Sequence, residues 1–150
     1  MSVRAVLIKK MVRVNIINPR CLTDQHLVAE YLEILMLVSY VKKHPDTGEI
    51  PKDYRLGKGH ILFFKNKLLY LKKRHERLKK EMKRRGFKAT KTVSLRGCKK
   101  SFMKGWRPSK KDKEIIKKRL IARIRRKPSY FKYFRKKRTK EFLVNLVKKG

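Results

Sequence analysis

Acidic residues are scarce in this chain. Only 11 of its 150 residues are Asp or Glu, against 46 Lys or Arg, which leaves a formal charge of +35. So few carboxylates exclude an acidic metal cluster of the kind that metal-dependent nucleases need. Cysteine is nearly absent too. Cys21 and Cys98 are 77 positions apart and form no CxxC or Cys/His ladder, so neither a zinc knuckle nor a disulfide scaffold is expected and both read as free thiols. Apolar runs are short and interrupted. The opening MSVRAVLIKKMVRV carries Lys and Arg through every apolar stretch, and the run Leu27–Val41 contains Glu30 and Glu33. Neither a secretory segment nor a membrane span is expected, so the protein is read as intracellular and soluble, not secreted. No GxxxxGK[ST], HExxH or GxSxG occurs, which removes the usual signatures of nucleotide triphosphatases, zinc proteases and serine hydrolases.

What is abundant is positive charge on a chain able to fold. Apolar residues make up 41%, and fourteen residues are Phe, Tyr or Trp, too many for a disordered basic tail. A chain at +35 repels itself unless a polyanion lies against it, so nucleic acid is the expected partner, held by a salt-sensitive and sequence-independent attraction. A ribosomal or chromatin-like packing protein satisfies that charge as well as an enzyme does, and an anionic lipid surface is a weaker third reading.

The apolar spacing predicts an all-α fold of about three main helices joined by long irregular connections. Leu27, Tyr31, Ile34, Val38 and Val41 recur every three or four residues behind Thr23 and Asp24, predicting a capped helix over 24–41. Ile61, Phe64, Leu68, Leu71, Leu78 and Met82 predict one long basic helix over 61–85, closed by Gly86. Ser109, with Asp112 three residues on, opens a third helix carrying Ile115, Ile116, Leu120 and Ile124, which Pro128 stops. Residues 44–60 and 88–108 read as irregular, and Thr139–Val147 as a last short basic helix.

Two features stand out against the basic background. From Cys21 to Val41 there is no Lys or Arg, and within that interval His26, Glu30 and Glu33 fall on one stripe of the first helix. A carboxylate on a mostly apolar helix either pairs with a distant cation or is kept ionisable for chemistry, and spacing alone favours the paired reading for both glutamates. The second feature is SYFKYF, Ser129–Phe134, where aromatics alternate with Lys132; such residues stack on bases or pack on a neighbouring helix with equal plausibility. Gly57 and Gly59 around Lys58 are weak evidence for a phosphate cradle, and Trp106 reads as core.

Three blocks together are more specific. VRVNIINPRCLTDQHLVAEYLEI (Val12–Ile34), LGKGHILFFKNKLLYLKKRHERLKKEMKRRGF (Leu56–Phe87) and RLIARIRRKPSYFKYF (Arg119–Phe134) resemble, in order, the DQHLxAEYxE, GxGHxxFF and PxxYKY elements of the pyrimidine-dimer DNA glycosylase/AP lyase family, the phage endonuclease V type. The resemblance implies a mostly helical single domain over 11–138 that works without metal or cofactor, as a monomer. It would act on duplex DNA containing pyrimidine dimers or abasic sites, kinking the duplex and flipping out a base. Its nucleophile is the α-amine following the initiator Met, which displaces the base from C1′ and forms an imine that allows β-elimination. Carried over, Val12 supplies that amine and Glu33 the catalytic carboxylate. Arg13, His26, Arg119, Arg123 and Lys132 contact DNA, and Tyr31, Tyr130 and Tyr133 give aromatic support. Leu32 and Met36 stand where the family places arginines beside the glutamate, and MSVRAVLIKK precedes Met11. Residues 1–10 therefore read as an extension absent from the functional protein, through initiation at Met11 or removal of the leader, and 139–150 as a basic tail.

Overall fold

A computed structural model of the chain describes residues 13–46 and 48–150, so Val12 and the extension at 1–10 lie outside the described residues. Thr23 opens the first helix, α1 (Asp24–Lys43): its backbone is extended and its hydroxyl accepts the His26 amide. The side of α1 bearing Leu27, Tyr31, Ile34 and Val38 is buried against α3 (Leu68–Arg84). Both helices carry opposite charges into this contact. Arg74 donates two hydrogen bonds to Glu30 at 2.8 and 3.0 Å, and a third to the Ile17 carbonyl, with both side chains fully buried. A bidentate pair with a further hydrogen bond to the backbone is the form in which buried charge is tolerated.

The helix expected over 61–85 is two helices, α2 (Gly59–Phe63) and α3. The break lets three consecutive residues, Phe63, Phe64 and Lys65, be buried, which one face of a continuous helix would not allow. Phe63 and Phe64 pack edge-on around Trp106, with Tyr54 and Tyr70 completing the cluster. Lys67, at the break, caps the freed Phe63 carbonyl at 2.8 Å. The irregular segment 88–108 is tied down at single points, among them Lys91 N–H donating to the Tyr31 hydroxyl at 2.8 Å.

Ser109 and Asp112 form a reciprocal capping box at the start of α4 (Lys110–Arg126). Thr139 caps α5 (Lys140–Lys149), whose Leu143, Val144 and Val147 are buried and which packs on α4 and on the 3₁₀ turn Pro19–Cys21. Between them, β1 (Lys132–Tyr133) and β2 (Lys136–Lys137) form a two-residue antiparallel ribbon that periodicity does not predict. Its turn residues, Phe134 and Arg135, have φ of 52° and 63°, a conformation normally left to Asn and Gly. Asp24 offsets the strain: its carboxylate accepts the Phe134 amide at 3.1 Å and the Arg135 amide at 2.7 Å, while Arg85 pairs with it at 3.0 Å. The fold is thus mostly helical, a single unit with one minor ribbon. No helix among the described residues is long and apolar enough to cross a membrane.

Candidate active site

Ahead of α1 the segment Arg13–Ile17 belongs to no helix or strand. Side chains hold it instead. The Val14 amide donates to His60 Nε2 at 2.8 Å, and His60 Nδ1 lies 2.9 Å from the Arg55 carbonyl. Because Nε2 accepts, Nδ1 carries the proton, so His60 is a neutral imidazole of defined tautomer; its burial pushes its pKa down to about 4. The Tyr54 hydroxyl reaches the Val14 carbonyl at 3.4 Å. At Ile16 the backbone turns through φ 44°, a left-handed conformation that a β-branched residue rarely adopts, with the Ile17 amide closing back onto the Asn15 carbonyl.

This clamp sets the Arg13 amide 3.1 Å from Glu33 Oε2. Glu33 lies on the wall of a cavity of about 100 Å³ shared with Arg13, Asn15, His26, Arg119 and Arg123, with Ala29 and Leu120 as its apolar lining. Burial raises the Glu33 carboxyl to about 7, with the Glu30 charge adding to the rise; the Arg13 amide and the charges of Arg13 and Arg123 act against it. At neutral pH it therefore accepts and releases protons with equal ease. His26 is the reverse case: burial, then the Arg123 charge, lower its pKa to about 4, so it is neutral. Its Nδ1 meets the Thr23 hydroxyl at 3.1 Å, its ring packs on Phe131 at 4.7 Å, and its buried Nε2 has no protein partner. Asn15 Oδ1 and Arg119 Nε are buried without partners as well. Three buried polar atoms on residues lining one small cavity thus have no protein partner and keep hydrogen-bonding capacity for what enters it.

The stripe of His26, Glu30 and Glu33 divides. His26 and Glu33, seven residues apart, face the cavity, whereas Glu30 turns into the core and is consumed by Arg74. The paired reading therefore holds for one glutamate and fails for the other. Arg119 and Arg123, one turn apart on α4, both line the cavity with Arg13. Lys132 does not; it lines an adjoining groove of about 580 Å³ with Val28, Ala29, Phe87, Tyr130 and Arg135, and Ala29 belongs to both spaces. The SYFKYF aromatics split in the same way: Phe131 is buried on His26, and Tyr130 is 60% exposed at the groove. Tyr133 is locked, its hydroxyl on the Arg20 carbonyl at 3.1 Å and its ring under the Arg85 guanidinium. Tyr31, two residues before Glu33, faces the other side of α1, where it stacks on His75.

Asn15, Tyr54 and His60 were not singled out by sequence. The available signals were an uncharged polar residue inside VRVNII and a histidine closing the GKGH run, while Tyr54 carried none. No trio of His, Cys, Asp or Glu among the described residues is placed to hold a metal ion.

The arrangement can move protons at a buried carboxyl between arginines, beside the chain segment that begins at Arg13. Compared with known families, residues 11–95 match the family model described as pyrimidine dimer DNA glycosylase, more than half of the chain and the part that contains Arg13, His26, Glu33 and His60. The chain belongs to the pyrimidine dimer DNA glycosylase family.

Proposed function

We infer that the protein excises cyclobutane pyrimidine dimers from duplex DNA and then cleaves the strand at the resulting abasic sugar by β-elimination, through an imine to the α-amine of Val12. The observation that carries this reading is the hydrogen bond from the Arg13 amide to Glu33. Val12 is joined to that amide nitrogen, so its own nitrogen is separated from it by only one Cα and one carbonyl carbon. An α-amine has a pKa near ~8 and is partly neutral under physiological conditions, unlike a solvated lysine near ~10.4. The amine would attack C1′ as the glycosidic electron pair leaves with the base. Glu33, with its carboxyl at about 7, takes the proton that the new C–N bond releases. The nitrogen lone pair then forms the imine as C1′–O4′ breaks, and Glu33 returns the proton to O4′. Arg13, Arg119 and Arg123 around the cavity, with Lys132 at the groove, suit the flanking phosphates. Neutral His26 contacts the sugar, Tyr130 meets an unstacked base, and Tyr31 and Tyr133 support the frame.

The free amine requires initiation at Met11 with Met removal, or loss of residues 1–10 and Met11; the family match beginning at residue 11 supports this. The working unit is then 11–138, continued by the basic segment 139–150, and it acts as a monomer wherever the DNA lies. Borohydride reduction with dimer-containing duplex tests the reading. A covalent adduct, lost on Glu33→Gln or N-terminal acetylation, is expected; tight binding with no adduct and no cleavage would instead identify a non-catalytic DNA-binding protein. A natively expressed protein whose mass shows an intact Met1 or Ser2 terminus excludes Val12 as the nucleophile.

A further inference from the structure

Asn15 is only 3% exposed, lines the same small cavity as Glu33, and its Oδ1 accepts no hydrogen bond. Its position is not an accident of a loose loop: the residue before it is gripped at the amide by His60 and at the carbonyl by Tyr54, and the residue after it is held left-handed. A buried acceptor fixed this firmly is preorganised for a donor that arrives with the ligand. The cavity, at about 100 Å³, is below the roughly 300–1,000 Å³ of pockets that enclose a whole small molecule, so it suits one sugar and not two linked bases.

The sugar of intact DNA has no donor to offer. Its 3′ and 5′ oxygens are phosphate esters, its 2′ carbon carries only hydrogen, and its ring oxygen carries none. A hydroxyl appears at one moment in the reaction inferred above: when the C1′–O4′ bond breaks, its electron pair goes to O4′, which takes the proton from Glu33. We propose that Asn15 is a substrate-contacting residue whose Oδ1 accepts a hydrogen bond from the 4′-hydroxyl of the ring-opened sugar, and so favours the imine over the closed sugar. The proposal rests on the imine reading and adds a residue that distinguishes the two sugar states.

The test uses natively expressed protein of measured N-terminal mass and two duplexes, one with a pyrimidine dimer, whose sugar carries no hydroxyl until its ring opens, and one with a tetrahydrofuran abasic analogue, whose ring cannot open. For Asn15→Leu, borohydride trapping and strand scission at the dimer are expected to slow by about tenfold, the weight of one hydrogen bond to a buried group, while affinity for the tetrahydrofuran duplex stays within about twofold of wild type. Asn15→Asp, which keeps an acceptor oxygen, should recover part of the trapping rate. If Asn15→Leu does not fold, Asn15→Ala takes its place in the same comparison. Unchanged trapping, or equal losses of trapping and of tetrahydrofuran-duplex affinity, overturns the proposal while leaving the imine reading intact. Absence of any adduct with the wild-type protein overturns both.

Discussion

Replacing Glu33 by Gln should stabilise the protein, and by an amount that depends on pH. In the folded state burial holds the carboxyl at about 7, against its ordinary value of 4.5. The native state therefore keeps a proton that the unfolded chain has already released, and stability falls as pH rises between those two values. At ~1.4 kcal/mol per pH unit the difference approaches about 3 kcal/mol once pH exceeds 7. Gln resembles the protonated carboxyl, keeps an oxygen to accept the Arg13 amide, and titrates nowhere. The stability difference between Glu33→Gln and wild type should thus be near zero at pH 4.5 and grow to about 2–3 kcal/mol in favour of the variant by pH 8. His26 and His60, both lowered to about 4, have the opposite dependence, losing stability as pH falls below the ordinary histidine value, but they contribute to both proteins and cancel in the difference. Denaturant unfolding at pH 4.5, 6 and 8, in about 0.5 M salt to screen the excess positive charge, measures it. A difference that is flat across this range, or a variant less stable at pH 8, would refute the assignment of Glu33 as a carboxyl whose burial outweighs its compensating partners.

Three other substitutions separate the frame from the chemistry. Asp24→Ala leaves Arg85 without one of its buried partners and two left-handed amides without an acceptor, so a loss of about 3–5 kcal/mol is expected in thermal or denaturant unfolding. His60→Leu strands the Val14 amide and the Arg55 carbonyl, with an expected cost of about 2–3 kcal/mol and a fall in adduct formation that His60→Gln, which still offers an acceptor, partly restores. Tyr130→Ala, at a residue 60% exposed, should leave stability within about 0.5 kcal/mol and weaken binding to lesion-containing duplex by about 1–3 kcal/mol in a titration at fixed salt.

Local chemistry was legible wherever it acts within one turn. The Thr23 cap, the Ser109–Asp112 capping box and the apolar faces of α1 and α4 are all written in neighbouring residues. What spacing could not separate was Glu30 from Glu33. They sit about 60° apart around the helix, and the partner that distinguishes them, Arg74, is 44 residues away from Glu30. The turn at Phe134 and Arg135 was hidden for the same reason: nothing in the dipeptide favours a left-handed backbone, and the acceptor that permits it is Asp24. The break at 64–67 was masked by an apolar period that runs straight through it, because Phe64, inside the break, and Leu68, the first residue of α3, keep helical spacing. The proposed catalytic carboxylate, Glu33, was accessible through the family motifs. The segment that aims it was not, since Arg13–Ile17 is shaped by His60, Tyr54 and Arg74 and not by its own propensities.

The Asp24 junction also bears on how the protein comes to be folded. The bonds that seat the aromatic ribbon on the start of α1 join residues 107 to 113 positions apart: Gln25 to Lys132, Asp24 to Phe134 and Arg135, Arg20 to Tyr133. Closing so long a loop is slow and late, because its entropy must be given up before these contacts return anything. The floor of the cavity, where Phe131 supports His26, thus exists only after both ends of the chain have met. A nascent or partly unfolded molecule already carries the charge that attracts DNA, yet it lacks the enclosed Glu33 carboxyl on which the proposed chemistry depends. On the proposed reading, capture of DNA and the chemistry on it are separated in time by the topology of the chain.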